Sequence, residues 1–261
     1  MISTTALVLT YNEEENIGRT LAAASWVPEV VIVDSGSTDR TLEIAKGSHP
    51  NVRIATRTFD THAKQWNFGL EQIRTPWVLT LDADYQLSPE LSSEIQNLNP
   101  AQELAGYQAM FQYRIYGRSL RASVYPPRVI LFRPDRATYF DDGHTQRLRP
   151  EGAIKSLSGV VYHDDRKSFS RWLQAQNRYA KLEARHLRTA SSEQLNLADR
   201  IRLKIFLAPP AMFFYLLFGR GLILDGWPGW FYACQRTIAE FILSMRLLIY
   251  RKNLETRNSD R

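Results

Sequence analysis

Two aspartates one residue apart, Asp82 and Asp84, follow the largely apolar run Trp77-Val78-Leu79-Thr80-Leu81. Carboxylates with that spacing at a strand end can hold a hard divalent cation. Mg²⁺ or Mn²⁺ binds through one or two carboxylates and completes its shell with substrate phosphates. Such a cation stabilises the charge that builds on a diphosphate leaving group as its bond breaks. Asp-x-Asp alone is a weak motif, and its place after an apolar strand gives it weight. Two further polar clusters sit at comparable places: Thr10-Tyr11-Asn12-Glu13 after residues 6–9, and Asp34-Ser35-Gly36-Ser37 after residues 30–33. Strand-to-helix turns often carry Asp or Ser simply as caps. Three polar clusters at three strand ends would converge on one crevice, because open parallel sheets bind ligands beyond the carboxyl ends of their strands. Neither Gly-x-Gly-x-x-Gly nor Gly-x-x-x-x-Gly-Lys-Ser/Thr is present, which argues against a dinucleotide-binding enzyme and a P-loop NTPase.

The elements that must position these residues alternate through the first ninety positions. Apolar runs at 6–9, 30–33, 52–55 and 77–81 read as strands, and about 14–24, 40–45 and 64–73 as helices. Ser88-Pro89-Glu90 opens another helix, with Ser88 as N-cap and Pro89 at the first helical position. This alternation implies a parallel sheet with helices on both faces. After residue 100 the pattern changes. Residues 107–115, 129–132 and 157–162 read as strands, with a Pro- and Arg-rich loop at 118–128 and a polar turn at Asp141-Asp142-Gly143-His144. These are expected to be mixed or antiparallel additions to the sheet.

From Ser168 onward the pattern is helical, with Leu173, Ala180, Ala184 and Leu187 on one face. Residues 205–219 carry no charge but contain Pro209-Pro210, a run too short and broken for the roughly 20 residues of a spanning helix. Residues 221–250 interleave Trp227, Trp230, Phe231 and Phe241 with Arg236 and Arg246. That pattern suits a helix lying in a membrane interface; a helical appendage packed on the catalytic domain is the alternative.

The 261 residues are 44% hydrophobic and 23% charged, an ordinary globular mix. The single cysteine, Cys234, excludes an internal disulfide framework and a cysteine-based zinc site. The net charge of +6 arises mainly after the first hundred residues, among aromatic and aliphatic side chains. This distribution fits an anionic membrane surface better than a nucleic-acid groove, and no nucleic-acid partner is expected. The N-terminal apolar run lacks a preceding basic region and reads as a buried first strand, not a signal peptide.

Four stretches together carry a resemblance: Leu9-Thr10-Tyr11-Asn12-Glu13-Glu14, Val31-Ile32-Val33-Asp34-Ser35-Gly36-Ser37-Thr38-Asp39-Arg40-Thr41, Lys64-Gln65-Trp66-Asn67-Phe68-Gly69 and Leu81-Asp82-Ala83-Asp84. In combination the sequence resembles the family 2 inverting glycosyltransferases of GT-A fold, in particular the bacterial branch that builds lipopolysaccharide cores and related glycans. The likeness is dense over roughly residues 5–90. It is looser through Asp142-Gly143-His144, His163 and Asp225-Gly226.

The resemblance implies an α/β fold: a GT-A, Rossmann-like, mixed but mainly parallel sheet flanked by helices, with a C-terminal helical membrane-associating extension. Residues 1–165 would be the catalytic domain, with a nucleotide-sugar half at about 1–100 and an acceptor half at about 101–165. Residues 166–261 would be the helical extension. Thr10, Tyr11, Asn12 and Glu13 would line the nucleotide pocket, and Asp34 would meet the base, uracil by expectation. Lys64 and Asn67 would lie near the donor. Asp82, with Ala83, would contact ribose or a metal-bound water, and Asp84 would ligate Mg²⁺ or Mn²⁺, with His163 completing the metal site or touching the diphosphate. For Lys64 the alternative is an exposed helix charge.

Inversion also needs a carboxylate to take the acceptor's hydroxyl proton. Asp142 is the first choice and Asp141 the second, because His144 is followed by Thr145 where many relatives have Glu. Arg128 and Arg133 could meet an anionic acceptor or form surface ion pairs. The expected reaction is metal-dependent transfer from a UDP-type nucleotide-sugar donor to a lipid-linked or lipopolysaccharide-type glycolipid acceptor. It would take place on the cytoplasmic face of the bacterial inner membrane, with the protein peripheral or monotopic. A polyprenyl-phosphate glycosyltransferase, or an inactive sugar-nucleotide-binding membrane protein, are the alternatives.

Overall fold

The computed structural model describes residues 2–142, 145–193 and 195–259, with side chains described for all but Asp142, Thr145 and residues 253–259. The chain divides into two compact units, residues 1–119 with 123–167 and residues 120–122 with 168–261.

In the first unit, β1 (Thr4–Thr10), β2 (Glu29–Asp34), β3 (Val52–Thr56) and β4 (Trp77–Asp82) alternate with α1 (Ile17–Ala23), α2 (Thr41–Ser48) and α3 (His62–Leu70). Then follow β5 (Tyr85–Leu87), α4 (Pro89–Gln96), β6 (Leu104–Ile115), β7 (Arg118–Ser119), β8 (Arg128–Phe132), β9 (Ala137–Asp142), β10 (Thr145–Pro150) and β11 (Ala153–His163). The main sheet has the order β3-β2-β1-β4-β8-β6-β11-β5. The first four strands are parallel, β8 runs against both β4 and β6, and β11 lies parallel to β6. It is therefore a mixed, mainly parallel sheet flanked by helices.

The run Ala6-Leu7-Val8 shows how the strands serve both faces. Ala6 and Val8 join Ile32, Leu79 and Leu81 under α1 and α4. Leu7 points the other way, with Val31, Val33 and Val78, toward Trp66 of α3. Successive strand residues face opposite sides of a sheet, so a strand buried on both faces reads as one continuous apolar run.

Two elements depart from the sequence-based expectation. Asp141 and Asp142 end β9 rather than sitting in a free polar turn, and β9 pairs antiparallel with β10 as a separate two-stranded sheet. Gly143 and His144 lie outside the described residues. The three-residue β5 was not expected, and it is decisive for the site. It pairs antiparallel with β11 in the register His163↔Tyr85 and Tyr162↔Gln86. Because β11 runs in the same direction as β4, its carboxyl end lies at the same edge of the sheet as Asp82.

The second unit is helical: α5 (Phe169–Thr189), α6 (Leu197–Leu203), α7 (Ala208–Phe214) and α8 (Trp227–Ser259). Its core gathers Ala180, Ala184, Leu187, Ile205, Leu243 and Leu247. Arg202 joins three helices through Glu183, Asp199 and Glu240 at 3.2, 3.4 and 2.9 Å. Pro209 and Pro210 do not interrupt a helix; they occupy the first turn of α7, where a missing N–H costs nothing. No described helix is long and apolar enough to cross a membrane.

Candidate active site

The turns after β1 and β2 are zipped together. Asn12 takes a left-handed backbone conformation, φ 54°, which Asn tolerates better than most residues. Its carboxamide oxygen accepts from Thr38 N at 2.7 Å, and its own N–H donates to Ser37 Oγ at 2.8 Å. Glu13 N donates to Thr41 Oγ1 at 2.6 Å. Asp34 is buried at the root of this assembly. It accepts from the Thr10 hydroxyl, the Ser37 hydroxyl, and the N–H groups of Gly36 and Ser37. Two carboxylate oxygens offer about four acceptor positions, so the Asp34 carboxylate is fully engaged in shaping the loop. Tyr11, by contrast, leaves its ring 54% exposed beside it.

The end of β4 splits its three residues by direction. Asp82 lines a cleft of 480 Å³ together with Trp66, Thr80, Tyr85, Arg128 and Tyr139. Ala83 points inward: its methyl lies in the core and its carbonyl accepts the Thr20 hydroxyl at 2.6 Å. Asp84 Oδ2 lies 3.2 Å from His163 Nε2. The pairing of β5 with β11 makes this contact, since it sets Tyr85 opposite His163 and Asp84 next to it. The imidazole is packed against Tyr113, Tyr85 and Tyr125 at ring separations of 4.5, 5.1 and 5.3 Å, and its Nδ1 is buried without a hydrogen-bond partner. Burial opposes charge on both groups. Against it, His163 together with Lys167 brings the Asp84 pKa below the ordinary carboxylate value, and Asp84 together with Asp165 and Asp82 raises the His163 pKa.

A charged network lies beside this pair. Lys167 Nζ is 2.7 Å from Glu13 Oε1 and 3.7 Å from Asp165 Oδ2. Asn16 donates to both Glu13 and Asp165 at 2.9 Å. Arg19 and Arg166 hold the buried Asp164 at 3.1 and 2.9 Å. Burial pushes the Glu13 carboxyl up to about 7, Lys167 pulls against that, and Asp84 adds to the rise. Burial works against the Lys167 charge, but Asp84, Glu13 and Asp165 hold its pKa above the ordinary lysine value. Sequence reasoning gave no role to Lys167 or Asn16. The signal available was a cation four residues past the strand-end histidine.

Three other singled-out residues lie apart from the Asp84–His163 pair. Lys64 is an exposed residue of α3 whose Nζ pairs with Asp60 at 3.1 Å. Asn67 is spent on architecture: its carboxamide donates to Tyr139 O at 2.9 Å and accepts from Tyr139 N at 3.0 Å, pinning α3 to β9. Asp141 accepts from Ala63 N at 3.4 Å, in the first turn of α3, where the helix dipole favours a carboxylate. The Asp142 side chain lies outside the described residues.

Polar strand ends at one edge of a mainly parallel sheet, with an Asp-x-Asp at the central strand, are the arrangement of a nucleotide-binding α/β transferase. Residues 5–148 match the family model described as glycosyl transferase family 2, and the protein belongs to that family: it is a glycosyltransferase. Over 251 residues, 93% of this chain and 90% of the other, it is 26% identical to the lipopolysaccharide core biosynthesis glycosyltransferase LpsC of Rhizobium meliloti. It is 33% identical over 132 residues to the undecaprenyl-phosphate 4-deoxy-4-formamido-L-arabinose transferase of Shewanella sediminis, covering 46% of this chain and 39% of that protein. Among solved structures, S. aureus TarS 1–349 in complex with UDP-GlcNAc aligns over 97% of this chain and 92% of its own, at 16% identity and a TM-score of 0.46.

Proposed function

We propose that this glycosyltransferase moves a sugar, with inversion, from a UDP-type nucleotide-sugar to a glycolipid of the bacterial envelope. It would work peripherally at the cytoplasmic face of the inner membrane, with Mg²⁺ or Mn²⁺ bound between Asp84 and His163. The observation that carries this reading is the 3.2 Å approach of Asp84 Oδ2 to His163 Nε2 at the donor edge of the sheet. A carboxylate oxygen and an imidazole nitrogen this close would both be in reach of one divalent ion. No group of three or more His, Cys, Asp or Glu placed for a metal occurs among the described residues. Two protein ligands suffice for these ions, which take phosphate oxygens and water for the rest. When bound, the ion would supply charge stabilisation to the departing diphosphate.

The chain's own residues do the remaining work. The Tyr11 ring offers the uracil a stacking face. Thr10, Asn12 and Glu13 line the pocket through loops that Asp34 fixes, and Asp34 reaches the base itself only if the Ser37 hydroxyl gives way. Asp82 faces ribose and the sugar from the cleft, and Lys167 presents a fixed positive charge toward the diphosphate. As the acceptor oxygen forms its bond to the anomeric carbon, the bond to the diphosphate breaks and the acceptor's proton passes to a carboxylate. Asp142 is assigned that role ahead of Asp141, one of whose oxygens accepts from Ala63 N of α3. Lys64 and Asn67 would meet the donor only on leaving Asp60 and Tyr139.

The second unit supports the membrane part of the reading. Phe206 and Leu224 are 68% and 69% exposed, with Leu207, Phe214, Phe218 and Trp227 also exposed and Lys204 and Arg220 nearby in sequence. Apolar side chains among cations suit an anionic lipid interface. The relatives named for lipopolysaccharide core and undecaprenyl phosphate support a lipid-linked acceptor. The latter also supports a second reading, in which polyprenyl phosphate is the acceptor. A donor screen tests both: nucleotide release is measured from UDP-, GDP- and other nucleotide-sugars, with lipopolysaccharide extract or polyprenyl phosphate as acceptor. The expected result is UDP release that requires Mn²⁺ or Mg²⁺ and the lipopolysaccharide extract. Absence of release from every pair would refute the proposal.

A further inference from the structure

The cleft beside Asp82 has a wall of opposite charge. Arg128 begins β8 and lines the cleft, its guanidinium 4.4 Å from the centroid of the Tyr125 ring. Tyr125 is itself fixed: its hydroxyl is hydrogen-bonded to that of Tyr85, and its ring lies 5.1 Å from Phe111. The arginine is therefore held in place, half-buried, yet it forms no ion pair with any described residue. Arg19, Arg166 and Lys167 of the same unit are ion-paired, whereas Arg114 and Arg133, like Arg128, stack on a ring, Tyr162 and Trp77 respectively. A guanidinium pre-oriented by stacking, in a concave site, presents a fork of N–H donors matched to carboxylate or phosphate oxygens. Arg147 lines the same cleft from β10, as do the amides Gln108 and Gln146, and Trp66 and Tyr139 stack on each other at 5.4 Å to form an aromatic wall. The volume of 480 Å³ falls in the range of small-ligand sites, about 300–1,000 Å³.

We propose that this cleft is an acceptor subsite for a sugar bearing a carboxylate or phosphate group, with Arg128 as the ligand of that anion and Arg147 as a second cation. The proposal rests on the glycolipid-acceptor reading above and deepens it by naming the acceptor's chemistry. Asp82 lines the same cleft and repels the same anion, so the two opposite charges orient the acceptor. Its anionic substituent turns toward Arg128, and its hydroxyls are left toward the donor.

Equilibrium binding to the full chain tests this with simple probes: methyl glucoside, methyl glucuronide and glucose 6-phosphate, and separately UDP with Mn²⁺. The wild-type protein is expected to bind at least one anionic sugar about tenfold or more tightly than methyl glucoside, the size of a charge-assisted contact. Comparison of the glucuronide with the phosphate tells which anion the fork prefers. Arg128→Met should erase the advantage, Arg128→Lys should retain part of it, and Arg147→Met should reduce it, all with UDP affinity unchanged. Equal binding of neutral and anionic sugars by the wild type would overturn the proposal, whether or not Arg128→Met folds. So would a loss in Arg128→Met that falls on UDP instead, since Arg128 would then belong to the donor diphosphate. Failure of the wild type to bind UDP would refute the donor reading and leave the sugar comparison to be judged separately.

Discussion

Lys167 faces Glu13, Asp165 and, through the electrostatic field, Asp84, so one ammonium balances a cluster of carboxylates. Removing a partner from a largely buried pair leaves an uncompensated charge. Lys167→Met is expected to destabilise the protein by roughly 2 kcal/mol, less than a fully buried pair would lose because some solvent reaches Lys167. Thermal unfolding measures the loss. The double variant with Glu13→Gln should recover part of it, since the amide needs no counter-charge; no recovery would show that the pair is not the cause. At this scale the sequence exposes residue types but not partners. Asp82 and Asp84 are legible because an acidic pair at a strand end is chemically conspicuous. Their partition, one carboxylate into the cleft and one toward His163, depends on a strand 79 positions away. Asp34 stands out in the sequence too, and its carboxylate proves to be satisfied by Thr10 and its own loop. Asn67 has the composition of a ligand contact and the geometry of a hinge pin.

Gly159 of β11 shows how elements set the site. A Cβ there would lie 2.5 Å from the Leu91 Cα of α4, a contact with backbone that cannot be relieved by a side-chain rotation. Gly159→Ala is expected to cost about 2–3 kcal/mol through overpacking, a drop in Tm of roughly 5–10 °C in a unit of this size. Because β11 ends in His163, the variant should also weaken Mn²⁺-dependent UDP binding. Destabilisation without that second effect would show that the strand's position is not what holds His163 against Asp84. The strands β1, β2 and β4 are legible because burial on both faces makes them continuous apolar runs. β5 is too short to show a period, and polar residues such as Thr138, Asp141, Gln146, Arg147 and Arg149 hide the strand pattern of β9 and β10. The helix α1 begins at Ile17 rather than near Glu14, after a tight turn in which Asn16 N and Ile17 N both donate to Glu13 O at 2.9 Å.

The molecule as a whole carries a net charge of +6 and, in its second unit, large apolar side chains left open to solvent. Each such side chain gains about 1.5–3 kcal/mol on transfer from water to an apolar medium. Phe206→Ser with Leu224→Ser is therefore expected to weaken partition to phosphatidylglycerol-containing vesicles at least about tenfold, as sedimentation with the vesicles would show. Unchanged partition would remove the membrane surface from the reading. The helical character of this unit was legible in its periodicity, but the prolines were not read as a helix start, because a Pro-Pro pair marks an interruption or a first turn equally well. The donor motifs made the class legible over roughly residues 5–90, whereas the family match extends to 148. The residues beyond about 90 are less legible because short strands and loops, not a repeated strand-turn pattern, build them.

The central claim is that Asp84 and His163 together hold a divalent ion at the donor diphosphate. Calorimetric titration with UDP, in the presence and absence of Mn²⁺, tests it most directly on the wild type, Asp84→Ala and His163→Ala. The expected result is that Mn²⁺ strengthens UDP binding in the wild type, that chelation reverses this, and that either substitution removes most of the enhancement, at least about tenfold. An Mn²⁺ enhancement of wild-type size in both folded variants would contradict it.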